Sequence, residues 1–187
     1  MSTIQESVIS KVREKLKQEV LDIENRTDIS NDEKVTRIIK IFSTTCAAVA
    51  VQPIPFADIF VLTPIQAYMG TRIAAIRDLP VSEEKATEII KELAGVVGLG
   101  LLAQQLVIGG YKSFIPFLGA FTTIPIVFGL TYAIGKVMDV YFIKKSRNEK
   151  YNPEELAKIF KETLRKKKAE GKKQRKDIWE SKEEHEP

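Results

Sequence analysis

Apolar residues recur every four positions at the start of the chain. Ile4, Val8, Val12, Leu16 and Val20 are separated by Lys, Arg and Glu, the stripe of an amphipathic helix over about residues 3–25. After a break at residues 25–29, Ser30 and Glu33 stand three apart ahead of Val35, Ile38 and Ile39. That is the spacing of a capping box, and it opens a second helix. The pattern then changes. From Ile41 to Thr71 there is no Lys or Arg, and Asp58 is the one charge. Pro53 and Pro55 interrupt this run and force a turn, which predicts helices over about 31–52 and 57–78. Pro80 closes the second of these. Ser82, Glu83 and Glu84 then supply a cap and acids for the next N-terminus.

A third apolar helix is predicted over about 83–109, ended by Gly109 and Gly110. Phe114 to Pro116 turns the chain into a fourth, about 117–147. Asn152, Pro153, Glu154 and Glu155 form a start signal with proline at the first helical position. Leu156, Ile159, Phe160, Thr163 and Leu164 give the last amphipathic stripe, and beyond Arg165 the tail is mostly charged. No period-two alternation bounded by turn residues is present, so no sheet is expected.

The two proline turns repeat at an offset of 61 residues. Ile54-Pro55-Phe56 returns as Ile115-Pro116-Phe117, Phe60 as Phe121, Pro64-Ile65 as Pro125-Ile126, and Ile73 as Ile134, making 7 identities over the 20 positions 54–73. The expected fold is therefore all-α: a helical bundle of two repeated proline-turn helical hairpins with amphipathic N- and C-terminal helices. The expected domains are an N-terminal helix (1–29), an apolar double-hairpin domain (30–147), and a charged C-terminal helix with a basic tail (148–187). The turn motif is Pro53, Pro55, Pro116 and Gly119.

Charge is distributed unevenly. Residues 1–135 hold 13 Lys/Arg and 14 Asp/Glu, net −1; residues 136–176 hold 15 and 6, net +9; residues 177–187 hold 1 and 5, net −4. The basic character begins where the apolar segments end. Arg165, Lys166, Lys167 and Lys168, with Lys172, Lys173, Arg175 and Lys176, are the expected contacts to an anionic lipid surface. A solvated helix end is the competing reading. Specific nucleic-acid binding is not expected, because the stretch lacks interleaved aromatics.

The chain carries one cysteine, Cys46, and one histidine, His185. It cannot close an intrachain disulfide or furnish a Cys/His zinc site. It has no ordinary Ser-His or Cys-His pair in its body. Gly129 to Lys136 resembles a phosphate loop only superficially: five residues separate its glycines instead of four, and Val137 stands where Ser or Thr must follow the lysine. No catalysis, cofactor or metal is expected. Residues 1–40 mix charged and apolar positions and show no secretory signal, so a cytoplasmic setting is expected.

Leu93–Tyr111 is 19 residues without a charge and Ser113–Gly135 is 23 more, with Lys112 between. Such lengths suit membrane spans. The pairs Gly70/Ala74, Ala94/Gly98 and Gly129/Ala133 repeat small residues at the spacing that brings helices close. Lys136, Lys144, Lys145 and Arg147 flank the fourth helix as cytoplasmic flanks do. Against a span stand Gln104, Gln105, the short arms of the first hairpin, and Asp58, which is costly in lipid. Asp58 and Arg72 are the only charges between Ile41 and Ile76. With Gln66 they are candidate polar residues, anchoring the hairpin core or lining a pore; the plainer reading has Asp58 capping its helix and Arg72 snorkelling.

The stretch Val51-Gln-Pro-Ile-Pro-Phe-Ala-Asp58, followed by Leu62-Thr63, Gln66, Met69 and Arg72-Ile-Ala, resembles the GTPase-associated YcjF-like family of bacterial proteins of unknown function. The later Ile115-Pro116-Phe-Leu-Gly119 resembles that family's second turn. The resemblance covers about residues 38–145. Members of that family occur alone, as membrane proteins, or joined to a Ras-like GTPase domain, and the resemblance implies no catalytic residues. No such GTPase domain lies within these residues, so the GTPase would act in trans. The expected function is a non-catalytic, membrane-associated helical module at the cytoplasmic side of the inner membrane, inserted or peripheral, that recruits or regulates a partner. The alternatives are a soluble helical adaptor with an ordinary core and, behind it, a small pore-forming homo-oligomer.

Overall fold

The computed structural model describes residues 3–51, 61–97 and 116–180. They form seven helices: α1 (Thr3–Glu24), α2 (Asn31–Val49), α3 (Leu62–Ile76), α4 (Glu83–Val97), α5 (Pro116–Ser146), α6 (Pro153–Lys173) and α7 (Arg175–Glu180). Among the described residues there is no strand. The all-α bundle is as the periodicity requires.

The helix starts follow the expected chemistry. The Ser30 hydroxyl accepts from the Glu33 amide at 3.2 Å, and the Asn152 side chain accepts from Glu154 and Glu155, with Pro153 opening α6. Each satisfies amides that the first turn leaves without intrahelical partners. Two helix ends use a left-handed residue that is not glycine. Asp78 (φ 60) follows α3 and Asn148 (φ 55) follows α5. Leu79 N donates to Ala74 O at 2.9 Å and Glu149 N to Lys144 O at 2.8 Å, the closing bond of a Schellman motif in both cases.

Several boundaries differ from expectation. α2 ends at Val49 instead of residue 52, and α3 begins at Leu62 instead of about 57. Pro64 then falls in the first turn of α3, where no intrahelical amide bond is lost. Pro125, its counterpart in the repeat, sits inside α5. Val61 is a turn residue, whereas its equivalent Thr122 is helical, so the two copies diverge there. Pro53, Pro55 and Asp58 lie outside the described residues, as does the expected extension of α4 to residue 109.

α5 is the axis of the bundle; α2, α3, α4, α6 and α7 all pack on it. Phe42, Ile38 and Ile39 of α2, Ile65, Met69 and Ile73 of α3, and Ile124, Phe128, Met138 and Phe142 of α5 are fully enclosed. Val8, Val12, Leu16 and Val20 close the same core from α1. Among the described residues, Leu21 is the one large apolar side chain that is exposed. The stretch Thr123–Ser146 is long and apolar enough to cross a membrane, but 72% of its apolar window is buried inside the bundle. A core helix passes the same test of length and composition.

Candidate functional site

α6 is amphipathic in the strict sense. Leu156, Phe160 and Gly171 are buried on one face. Away from that face Lys158, Lys161, Arg165, Lys168 and Lys172 are all exposed. Their spacing of three, four, three and four residues stacks them in one row. At a rise of about 1.5 Å per residue the row is about 21 Å long. Lys176 on α7 is exposed beyond it, 3.9 Å from Glu180. Lys166, Lys173 and Arg175 are also exposed. Among the described residues, none of the five cations of the row forms an ion pair.

The expected basic tail is therefore largely a packed helix, and one of its eight cations has a different job. Lys167 turns inward, its Nζ 4.1 Å from the centre of the Tyr132 ring and 2.6 Å from the Glu170 carboxylate. Lys158 and Lys161 belong to the row and were missed in the sequence. The eye goes to consecutive lysines, whereas a helix presents its faces at intervals of three and four.

Two glycines set the α5–α6 contact. A Cβ on Gly129 would stand 2.8 Å from Lys168 N and 3.1 Å from Leu164 O. A Cβ on Gly171 would stand 3.0 Å from Pro125 Cα. The backbones meet there, and only glycine leaves the room. Gly129 and Gly135, the glycines of the abortive phosphate-loop pattern, are thus helix-packing positions: Gly135 faces Ile39 and Met69. The same contacts fix the direction of α6. It runs antiparallel to α5, with residues 168–171 beside 125–129.

That end of the bundle is also where α2 stops and α3 starts. Gln66 Nε2 donates to Thr131 Oγ1 at 3.1 Å, and Cys46 hydrogen-bonds the same threonine. Enclosure on all sides pushes the Cys46 thiol up to about 12. The basic row therefore climbs toward the end at which the chain leaves α2, re-enters α3, and begins α5 at Pro116.

The other candidate residues are dispersed. Arg72 does not reach for a partner within the hairpins. Its Nε donates to Glu24 Oε1 at 2.7 Å, and its Nη2 also bonds that carboxylate, tying the end of α1 to α3. Gln66 is a buried tie between α3 and α5. Pro116 is the first residue of α5, and Gly119 lies in its opening turns. Asp58 lies outside the described residues.

A charged cluster that the sequence reading passed over holds the opposite end. Arg77 Nε donates to Asp139 Oδ1 at 2.8 Å, Arg77 also pairs with Asp32 at 2.8 Å, and Lys136 pairs with Asp139 at 3.0 Å. The available signal was that Asp139 is the sole acid between Ser113 and Asn148. Among the described residues no group of three or more His, Cys, Asp or Glu could hold a metal ion. No family model, curated protein or solved structure matches the chain.

Proposed function

We propose that the chain is a non-catalytic helical module that attaches to the cytoplasmic surface of a membrane and recruits a protein partner there. The observation that carries this reading is the segregation of charge on α6: an exposed row of cations on one face, a core-forming stripe on the other. Anionic lipid attracts such a row at roughly 1 kcal/mol per cation near the surface. Two further features support attachment. The sequence runs 52–60 and 98–115 are mostly apolar, with Asp58 and Lys112 their only charges. The described bundle keeps its own apolar residues inside, which favours lying on the bilayer over spanning it. A GTPase in trans is the partner that the resemblance of residues 38–145 implies.

The test is membrane fractionation of the expressed protein followed by a carbonate wash. Recovery in the membrane pellet before the wash supports attachment; retention after it means the apolar runs are inserted. A soluble, monodisperse protein that ignores vesicles overturns the reading in favour of a soluble adaptor. The closed core, with Leu21 its one large exposed apolar residue among those described, is what favours that second reading.

A further inference from the structure

We infer that the outer face of α6 is the docking face for an anionic bilayer, that it binds by charge density without selecting one headgroup, and that α6 and the antiparallel α5 lie along the bilayer plane. This rests on the membrane attachment proposed above and names the contact surface and its orientation.

Lys158, Lys161, Arg165, Lys168 and Lys172 are exposed in one straight row, and their flexible stems reach away from the bundle. Nothing in the row forms a pocket: the side chains stand one turn apart along a convex helix. A single phosphate would meet at most two neighbouring cations of the row, whereas a plane of headgroups meets all five together. That geometry matches an extended sheet of negative charge. The aromatic of α6, Phe160, is buried against the core, so the row offers no stacking platform for unpaired bases. Two of the four acids of α6, Glu154 and Glu155, stand in its first turn, and Glu170 is paired with Lys167, which leaves the cationic density greatest toward Lys172.

Orientation follows from the α5–α6 contact. The two backbones touch at Gly129 and Gly171, and Lys167 packs on Tyr132 between them. α5 cannot stand upright in lipid without carrying α6 and its cations in with it, and charged side chains are excluded from the hydrocarbon core.

The experiment is sedimentation of the full chain with phosphatidylcholine vesicles, with and without phosphatidylserine. Two triple variants with equal charge change are compared: Lys161→Glu/Lys168→Glu/Lys172→Glu on the row, and Lys11→Glu/Lys17→Glu/Lys91→Glu at exposed sites elsewhere. Helicity and urea midpoints establish that both fold. The row variant is expected to bind phosphatidylserine vesicles about 100-fold more weakly than wild type, and the control within about 3-fold. Equal loss in both variants, or none in the row variant, overturns the docking face while leaving attachment standing. Wild-type protein that binds no vesicles overturns the attachment itself. Equal binding to vesicles lacking phosphatidylserine, or tighter binding to duplex DNA than to lipid, also overturns the inference. Polarised infrared spectra of the bound protein should show helices in the bilayer plane; upright helices overturn the orientation.

Discussion

Asp139, at the bottom of the apolar α5, shares its carboxylate between Arg77 at the end of α3 and Lys136 one turn back on its own helix. Its side chain is 2% exposed and that of Arg77 11%. Arg77 in turn reaches Asp32 in the first turn of α2. Three helices are thus tied through one buried carboxylate and the arginine that it holds. Neutralising one member is more damaging than never having had the cluster, because the remaining charge is already out of water.

Arg77→Met should therefore destabilise the protein by about 3 kcal/mol, and Asp139→Leu by a similar or smaller amount. The double variant Arg77→Met/Asp139→Leu should recover most of that loss, since packed apolar side chains replace buried ion pairs at little cost. Urea unfolding monitored by far-ultraviolet circular dichroism measures all three. An additive double variant would mean that the pair is not coupled.

The glycines separate packing from propensity. Gly129→Ala and Gly171→Ala place a methyl group against the backbone of the facing helix, and each should cost about 1–3 kcal/mol. Gly95→Ala is the control. It lies in α4 with nothing within 4 Å of the new carbon, and it should stabilise by up to about 1 kcal/mol through helix propensity alone. Thermal midpoints should move in opposite directions.

Asp78 and Asn148 adopt left-handed backbone conformations that glycine occupies without steric penalty. Asp78→Gly and Asn148→Gly should each be neutral or stabilising by a few tenths of a kcal/mol, despite the flexibility that glycine adds to the unfolded chain. Alanine at either site should destabilise by about 1 kcal/mol. Urea midpoints of the glycine and alanine variants at each position settle the sign.

Much of the architecture is written locally. The stripe Val8, Val12, Leu16 and Val20 names both α1 and the face it buries; Ser30 and Asn152 mark helix starts by their own hydrogen bonds. These are effects between residues a few positions apart, which is the range a single sequence exposes. The ties that position the helices are of another kind. Arg72–Glu24, Arg77–Asp139 and Gln66–Thr131 join residues 48, 62 and 65 positions apart, and no local pattern names those partners. Gln66 and Arg72 stood out by polarity in an apolar run, but their partners on α5 and α1 did not. The cation row is an intermediate case. It obeys a simple period, yet it is seen only once Leu156, Phe160 and Gly171 show which face of α6 is turned inward.

Cys46 supplies a pH-dependent test. Its thiol is enclosed between α2 and α5, and loss of solvation raises it from the ordinary value of 9.0 to about 12. The folded state therefore holds the thiol proton more tightly than the unfolded chain does. The sign follows from linkage: the associated stability is fully present below about pH 9 and is lost as the pH rises toward about 12. Over that window wild type should lose up to about 1.4 kcal/mol per pH unit relative to Cys46→Ala, which has no thiol to ionise. Below pH 8 the difference between the two should be flat, leaving only the constant cost of the small cavity. The same burial predicts that a thiol reagent at pH 8 reacts with native protein only through unfolding, so the rate should follow the urea-dependent population of unfolded chain. Rapid labelling in the absence of urea would mean that α2 and α5 part at Cys46 without global unfolding.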